Sequence, residues 1–145
     1  MVSKSDLALA HDLRQTIKLL HRLLRKRVRD AGQWSEAEEN VMRTIIGRKE
    51  VSPSDLCIAH GLSSQFVSQV LKHLEEMQYV SRTPSLEDKR KTLVSLSPKG
   101  KLLVENMKHD NDEWMASIIS KQYTTQQKEI IRQAVGLLAA MPELS

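Results

Sequence analysis

The chain has 145 residues, a formal charge of +4 at pH 7, 40% hydrophobic and 28% charged residues. This length suits one compact domain per subunit and is short for two ordinary ones. No apolar run approaches the roughly 18 residues of a membrane helix, and the first residues lack the apolar core of a secretory signal. The lone cysteine, Cys57, excludes an internal disulfide and a multi-cysteine zinc finger. We therefore expect a soluble, cytoplasmic protein without a membrane partner.

The first predicted helix is long and amphipathic. Apolar residues recur at helical spacing on one face, at Leu13, Ile17, Leu20, Leu24 and Val28, before Asp30-Ala-Gly32 interrupts the pattern. The other face is basic, and no acidic residue lies between Arg14 and Arg29. This basic face could contact nucleic acid, but a solvated helix face explains it more simply, so we assign no site there.

A second helix follows, and after it come two short helices and a turn in the pattern of a helix-turn-helix unit. Ser35 and Glu38 form a predicted capping box for a second helix, which we expect to end at Gly47. Ser52 caps a third helix that runs to His60, and Gly61 breaks it. Ser63 caps a fourth helix, whose predicted buried stripe is Phe66, Val67, Val70, Leu71, Leu74 and Met77.

Two β-rich runs after this unit, 79–82 and 92–96, flank a polar loop and predict a hairpin. Ser97-Pro98 starts a further long helix, and Thr124 or Thr125 starts the last one. The predicted fold is mainly α with a small β-hairpin, a winged helix-turn-helix with long N- and C-terminal dimerisation helices.

The predicted helices at the two ends of the chain are longer and more apolar than a small DNA-binding core requires. Dimerisation explains them economically, since a two-fold axis would place two recognition helices in successive major grooves. We therefore expect one domain, 1–145, in which 1–32 and 101–145 are dimerisation helices. Residues 33–100 form the predicted DNA-binding lobe, with the wing at about 80–97.

The wing region resembles that of the multiple-antibiotic-resistance regulator (MarR) family of bacterial transcription factors. Asp88-Lys-Arg90, followed by Val94-Ser-Leu96-Ser97-Pro-Lys-Gly100, is similar to the family's Asp-x-Arg wing motif and its Leu-Thr-x-x-Gly exit, with Ser97 in place of threonine. The resemblance implies a homodimeric regulator, most often a repressor, that binds palindromic promoter DNA. It also implies possible release by a small phenolic or lipophilic ligand, and no cofactor.

By this resemblance Arg90 enters the minor groove, while Asp88 braces an arginine or the wing backbone. A guanidinium suits the enhanced negative potential of a narrow minor groove. Lys89 and Lys91 would meet phosphates, and Arg82 would contact phosphate or Asp88 unless it is a solvated strand charge. The recognition-helix positions that face the groove are Ser63, Ser64, Gln65, Ser68, Gln69, Lys72 and His73.

Two glutamines are the best predicted base readers. Gln65 and Gln69 can each pair bidentately with adenine. Gln69 occupies a position where the family often has arginine, which leaves the preferred operator open. Gln78 stands where the family usually has glycine, so we expect either a strained helix exit or a left-handed backbone there.

Other functions have weaker support in the sequence. A winged helix can serve as a protein-interaction module, but that role does not require Lys89, Arg90 and Lys91 together. A metal- or redox-responsive regulator would use the region of His109 and Glu113 or the thiol of Cys57, for which an acidic helix face and a core position are the simpler explanations. No glycine-rich phosphate loop or nucleophile motif indicates an enzyme.

Overall fold

The computed structural model describes residues 1–144, and across them it has six α-helices and three short strands. In chain order these are α1 (Lys4–Gly32), α2 (Glu36–Arg48), β1 (Glu50–Val51), α3 (Pro53–His60), α4 (Ser64–Glu76), β2 (Val80–Pro84), β3 (Thr92–Leu96), α5 (Pro98–Gln122) and α6 (Thr125–Ala140), followed by a 3-10 turn (Met141–Leu144). The predicted mainly α architecture with a small β element and long helices at both ends is confirmed.

The chain divides into two compact units, 1–107 and 108 onward. The first unit contains the hydrophobic core, in which α2, α3 and α4 enclose fully buried side chains and β1 and β3 close one side. This core includes Met42, Ile45, Leu56, Leu71, Leu74 and Val94, each 0% exposed. The second unit contains the end of α5 and all of α6.

Serine and threonine caps fix where most helices start. Ser35, Ser52, Ser63 and Thr124 each accept a hydrogen bond from the backbone N–H three residues ahead, as their sequence positions predict. Ser3 caps α1 in the same way, at a start that the sequence pattern did not identify. Each cap satisfies an N–H that has no partner inside its helix.

Of two predicted helix ends, one is confirmed and one is wrong. α1 ends at Gly32, within the predicted interruption Asp30-Ala-Gly32, and its C-cap Gln33 adopts a left-handed conformation with φ 54°. Gly47 does not end α2, because the helix continues to Arg48 and the positive φ falls at Lys49 (67°). A glycine inside a helix costs only about 1 kcal/mol relative to alanine, so tertiary packing overrides it.

The wing belongs to a three-stranded antiparallel sheet, whereas the sequence predicted only a hairpin. The strand order is β1-β3-β2, with Val51 opposite Val94 and Arg82 also opposite Val94 on the other side. β2 extends to Pro84, beyond the predicted end at residue 82. The two-residue β1 anchors the wing's inner strand beside α3.

The buried stripe of α4 is shorter than predicted. Val67, Val70, Leu71 and Leu74 are buried, and Met77 is half-buried against the core, but Phe66 is 40% exposed. Phe66 lies in the first turn of α4 beside Val67, which is fully buried, so the core takes Val67 and leaves Phe66 partly in solvent.

The helices at the chain ends carry apolar side chains that the described chain leaves exposed. On α1 these include Ile17, Leu19, Leu20 and Leu23, and on α6 they include Ile130, Val135, Leu137 and Leu138. No helix among the described residues is long and apolar enough to cross a membrane.

Candidate nucleic-acid interface

The helix α4 presents one buried face and one polar face. Its buried stripe fixes its orientation on the core. The opposite side places six predicted groove-facing residues in solvent, together with the cap residue Ser63. These are Ser64, Gln65, Ser68, Gln69, Lys72 and His73. Their side chains offer the amide, hydroxyl and cationic groups that read bases and bind phosphates.

The exit of α4 is held by the start of α5. Gln78 adopts the left-handed conformation (φ 64°), as one of the two sequence-based expectations proposed. The Ser97 hydroxyl donates to the Gln78 carbonyl (2.5 Å), and the Lys99 ammonium donates to the Met77 carbonyl (3.1 Å). A Cβ at Gly100 would lie 2.0 Å from the Tyr79 carbonyl oxygen, so only glycine permits this approach. The recognition helix and α5 are therefore locked at this junction.

The wing loop is ordered by its own hydrogen bonds. Ser85 N–H donates to the Lys91 carbonyl (2.8 Å), and Lys91 N–H donates to the Asp88 carbonyl (2.9 Å). Asp88 Oδ1 accepts from the Arg90 N–H (3.0 Å), so the carboxylate braces the wing backbone rather than an arginine side chain. Lys89, Arg90 and Lys91 are all exposed. The loop thus presents three cations from a fixed turn.

Arg82 links the wing to the recognition helix. Its Nε donates to Glu75 Oε1 of α4 over 2.5 Å, and both side chains are about one third exposed. The contact is with Glu75 and not with Asp88, the protein partner considered from the sequence. An exposed ion pair contributes at most about 1 kcal/mol, so its main effect is to orient the wing against α4.

His73 is the one predicted groove-facing residue with a buried ionic partner. Its Nδ1 forms a hydrogen bond with Glu38 Oε1 of α2, while Glu38 Oε2 accepts from the Ser35 N–H over 2.8 Å. This bond and the negative charge of Glu38 raise the pKa of His73. Burial alone would raise the pKa of Glu38, but the hydrogen bonds from His73 and Ser35 prevail and lower it.

A second buried carboxylate joins α1 to α2. The Arg25 guanidinium donates through Nε and one terminal nitrogen to Glu39, and the same terminal nitrogen donates to Asn40 Oδ1 (2.6 Å). Glu39 is only 4% exposed. Its hydrogen bond raises the pKa of Arg25, so this arginine of the basic α1 face is structural.

Sequence reasoning missed both buried glutamates. Glu38 was identified only as a capping residue, and Glu39 was not singled out. The available signal was three acids, Glu36, Glu38 and Glu39, in the first turn of a helix that otherwise enters the core. Such a run is typical of a solvated helix start, and only the tertiary positions of Arg25 and His73 identify two of the acids as buried partners.

The wing stands apart from the start of α3. Between them lies an open groove of about 980 Å³, lined by residues that include Ser52, Asp55, Arg82, Arg90 and Lys91. The structure thus brings two of the three wing cations, Arg90 and Lys91, and the α3 N-terminus to one concave surface. Among the described residues no group of three or more histidine, cysteine or acidic side chains could hold a metal ion; His109 and Glu113 form only an exposed pair (3.2 Å).

Comparison with known proteins identifies the lobe. A family model described as a winged helix DNA-binding domain matches residues 35–100. The chain contains a winged helix DNA-binding domain. An HTH-type transcriptional regulator of Mycobacterium tuberculosis is 28% identical over 141 residues, 97% of each chain.

Solved structures agree with this assignment of the fold. A transcriptional regulator of Thermotoga maritima superposes with a TM-score of 0.79 at 18% identity, covering 92% of this chain and 96% of the other. A MepR mutant of Staphylococcus aureus bound to an oligodeoxyribonucleotide gives 0.65 at 15% (92% and 97%). A MarR mutant of Escherichia coli gives 0.58 at 19% (96% and 98%). The predicted winged-helix fold and its likeness to MarR-type structures are confirmed, and the matched relatives are named as transcriptional regulators.

Proposed function

We propose that the chain is a cytoplasmic, homodimeric repressor that binds a palindromic operator. Each subunit would place α4 in a major groove and the wing in the adjoining minor groove. The observation that carries the proposal is that one rigid lobe presents the polar face of α4 and the three wing cations together, joined by the Arg82–Glu75 pair. A MepR variant of the same fold is bound to DNA.

The exposed apolar side chains support the homodimer. Ile17 and Leu20 of α1 are 54% and 47% exposed, and Ile130 and Leu137 of α6 are 61% and 77% exposed. Large apolar areas left in solvent favour association. Under this proposal, 1–32 and 101–145 are dimerisation helices, and the two-fold axis gives the palindromic operator.

A small apolar cavity supports control by a small phenolic or lipophilic ligand. It is a half-open depression of about 200 Å³ between α1 and α2, and Leu24, Val28, Trp34, Met42 and Ile46 supply its apolar lining. A ligand that binds only one conformation of the lobe would favour that conformation. The affinity for DNA would then change by as much as the ligand's affinities for the two conformations differ. Addition of small phenols to the protein–DNA complex tests this, and we expect release of the DNA.

Fluorescence anisotropy on the DNA upstream of the protein's own gene, with scrambled DNA beside it, tests the proposed function. We expect tight, salt-sensitive binding to the native fragment and about tenfold weaker binding by Arg90→Ala, because a groove-inserted arginine is worth roughly 1 to 3 kcal/mol. Arg14→Ala removes an equal charge from the exposed face of α1 and serves as the matched control. Equal, weak binding of both DNAs, including sequences selected from a random pool, would overturn the proposal and favour a protein-interaction module.

A further inference from the structure

His73 is the one predicted groove-facing residue of α4 whose side chain contacts a buried carboxylate, that of Glu38 in α2. Glu38 is 8% exposed, and both of its carboxylate oxygens are engaged, Oε1 by His73 and Oε2 by the Ser35 N–H. The His73 side chain is 49% exposed. One edge of the imidazole is therefore anchored in the protein, while the ring remains on the surface predicted to face DNA.

The hydrogen bond at Nδ1 determines whether the other ring nitrogen, Nε2, can donate a hydrogen bond to DNA. Glu38 accepts a hydrogen bond, so Nδ1 must carry the proton in either charge state. In the neutral ring Nε2 is then an acceptor, which a phosphate oxygen cannot use. In the protonated ring Nε2 becomes a charged donor, which suits a phosphate oxygen.

On this basis, and resting on the proposed function, we infer that Glu38 is a positioning residue for DNA recognition. It anchors the imidazolium form of His73 so that Nε2 donates to an operator phosphate, and operator binding therefore depends on one proton. His73 is a phosphate contact rather than a base reader, and Glu38 acts through it without touching DNA.

The charged groups around α4 agree with this role. Glu38 of α2 and Glu76 of α4 both favour the charged ring. From β2, Arg82 is held by Glu75, and from α3, His60 forms a hydrogen bond with Thr44 over 2.9 Å. The two acids outweigh the opposing effect of desolvation, and the pKa of His73 is raised above its usual 6.5.

The sign of the pH effect on operator affinity follows from the raised pKa of His73. Below the raised pKa the ring is charged and the contact with phosphate is present. As the pH rises through that pKa, the proton is lost and operator affinity falls. We expect a decrease of about tenfold, the size of one charge-assisted hydrogen bond.

Anisotropy titrations from about pH 6 to about pH 9, at constant salt, test the inference. His73→Gln should remove the decrease. Glu38→Gln keeps the size of the side chain and an acceptor for Ser35, and should move the decrease to lower pH. His60→Gln, which loses a histidine contact with the same helix α2, is the matched control and should keep the wild-type profile. A wild-type profile in His73→Gln, or an unmoved midpoint in Glu38→Gln, would overturn the inference.

A second measurement needs no variant. NMR titration of the His73 ring in the wild-type protein should give a higher pKa with operator DNA than without it, because coupling between proton and DNA is reciprocal. An equal pKa in both states would refute the inference while leaving the proposed function intact. Failure of the wild-type protein to bind any DNA specifically at any pH would instead refute the proposed function.

Discussion

At the scale of single residues, the proposed function would place the base-reading capacity of α4 in two glutamines. Gln65 and Gln69 are exposed on the polar face, one helical turn apart, so their side chains project in nearly the same direction. The neighbouring serines can accept or donate to several bases, and Lys72 is better suited to phosphates. Sequence preference should therefore depend mainly on the two amides.

The first prediction concerns Gln69. Gln69→Ala should relax base choice at one position of each half-site, because a bidentate amide–adenine contact is worth roughly 1 to 3 kcal/mol against a wrong base. Selection from random DNA, followed by sequencing, gives the preferred operator of each variant. Lys72→Ala is the control, and it should weaken binding evenly across sequences. An unaltered motif in Gln69→Ala would exclude this residue as a base reader.

At the scale of elements, the junction after α4 contains one residue that suits its backbone environment, Gly100, and one that does not, Gln78. Gly100 is required by its approach to the Tyr79 carbonyl. Gln78, by contrast, adopts a left-handed conformation (φ 64°) without being a glycine, at a cost of roughly 1 to 2 kcal/mol. The hydrogen bond from Ser97 to the Gln78 carbonyl and that from Lys99 to the Met77 carbonyl offset this cost.

Replacement of Gln78 should consequently stabilise the protein. We expect Gln78→Gly to raise the free energy of unfolding by about 1 kcal/mol. Glycine avoids the cost of the left-handed conformation, but it loses more conformational entropy on folding, and the expected gain is the difference between these two free energies. Gln133→Gly, in the interior of α6, should lower it by about 1 kcal/mol. Urea unfolding of both variants measures the two effects. A loss of stability in Gln78→Gly would show that the left-handed penalty at this position is smaller than the entropic cost of glycine.

The elements themselves were largely predictable, because local chemistry determines their starts. Capping serines and threonines identified the starts of α2, α3, α4 and α6, and the Asp-x-Arg motif located the wing. β1 was not predictable, since two residues show no period and its pairing with β3 joins positions about 45 apart in the chain. Phe66 matches the apolar period of α4, and only the tertiary structure shows that the core takes the adjacent Val67 and leaves Phe66 partly exposed.

The candidate site was less predictable than the fold. Exposure of the α4 face follows from periodicity, so the positions of Gln65, Gln69 and Lys72 were accessible from the sequence. The partners of Arg82 and His73 were not, because Glu75 and Glu38 are brought to them by packing of α4 against β2 and α2. Ion pairs between elements leave no local pattern in a sequence.

At the scale of the whole molecule, self-association is the property that the proposed function requires. Two exposed side chains of α6, Ile130 and Leu137, lie seven residues apart on one stripe, and Met141, in the 3-10 turn that follows, is also exposed. A stripe of this kind on a solvated helix leaves apolar area in water, which burial against a second copy would remove at about 25 cal/mol per Å².

Charges placed on this stripe should therefore separate the subunits. We expect the double variant Ile130→Glu/Leu137→Glu to be monomeric, because association would bury two unpaired carboxylates, and to bind a palindromic operator at least about tenfold more weakly than the wild-type protein. Thr125→Glu/Ala139→Glu adds the same two charges to exposed positions on the opposite side of α6 and should remain dimeric. Light scattering coupled to size-exclusion chromatography measures the mass, and circular dichroism verifies that each variant is folded. A folded Ile130→Glu/Leu137→Glu protein with the mass of a dimer would exclude this face of α6 from the interface, and a wild-type protein with the mass of a monomer would refute the homodimer itself.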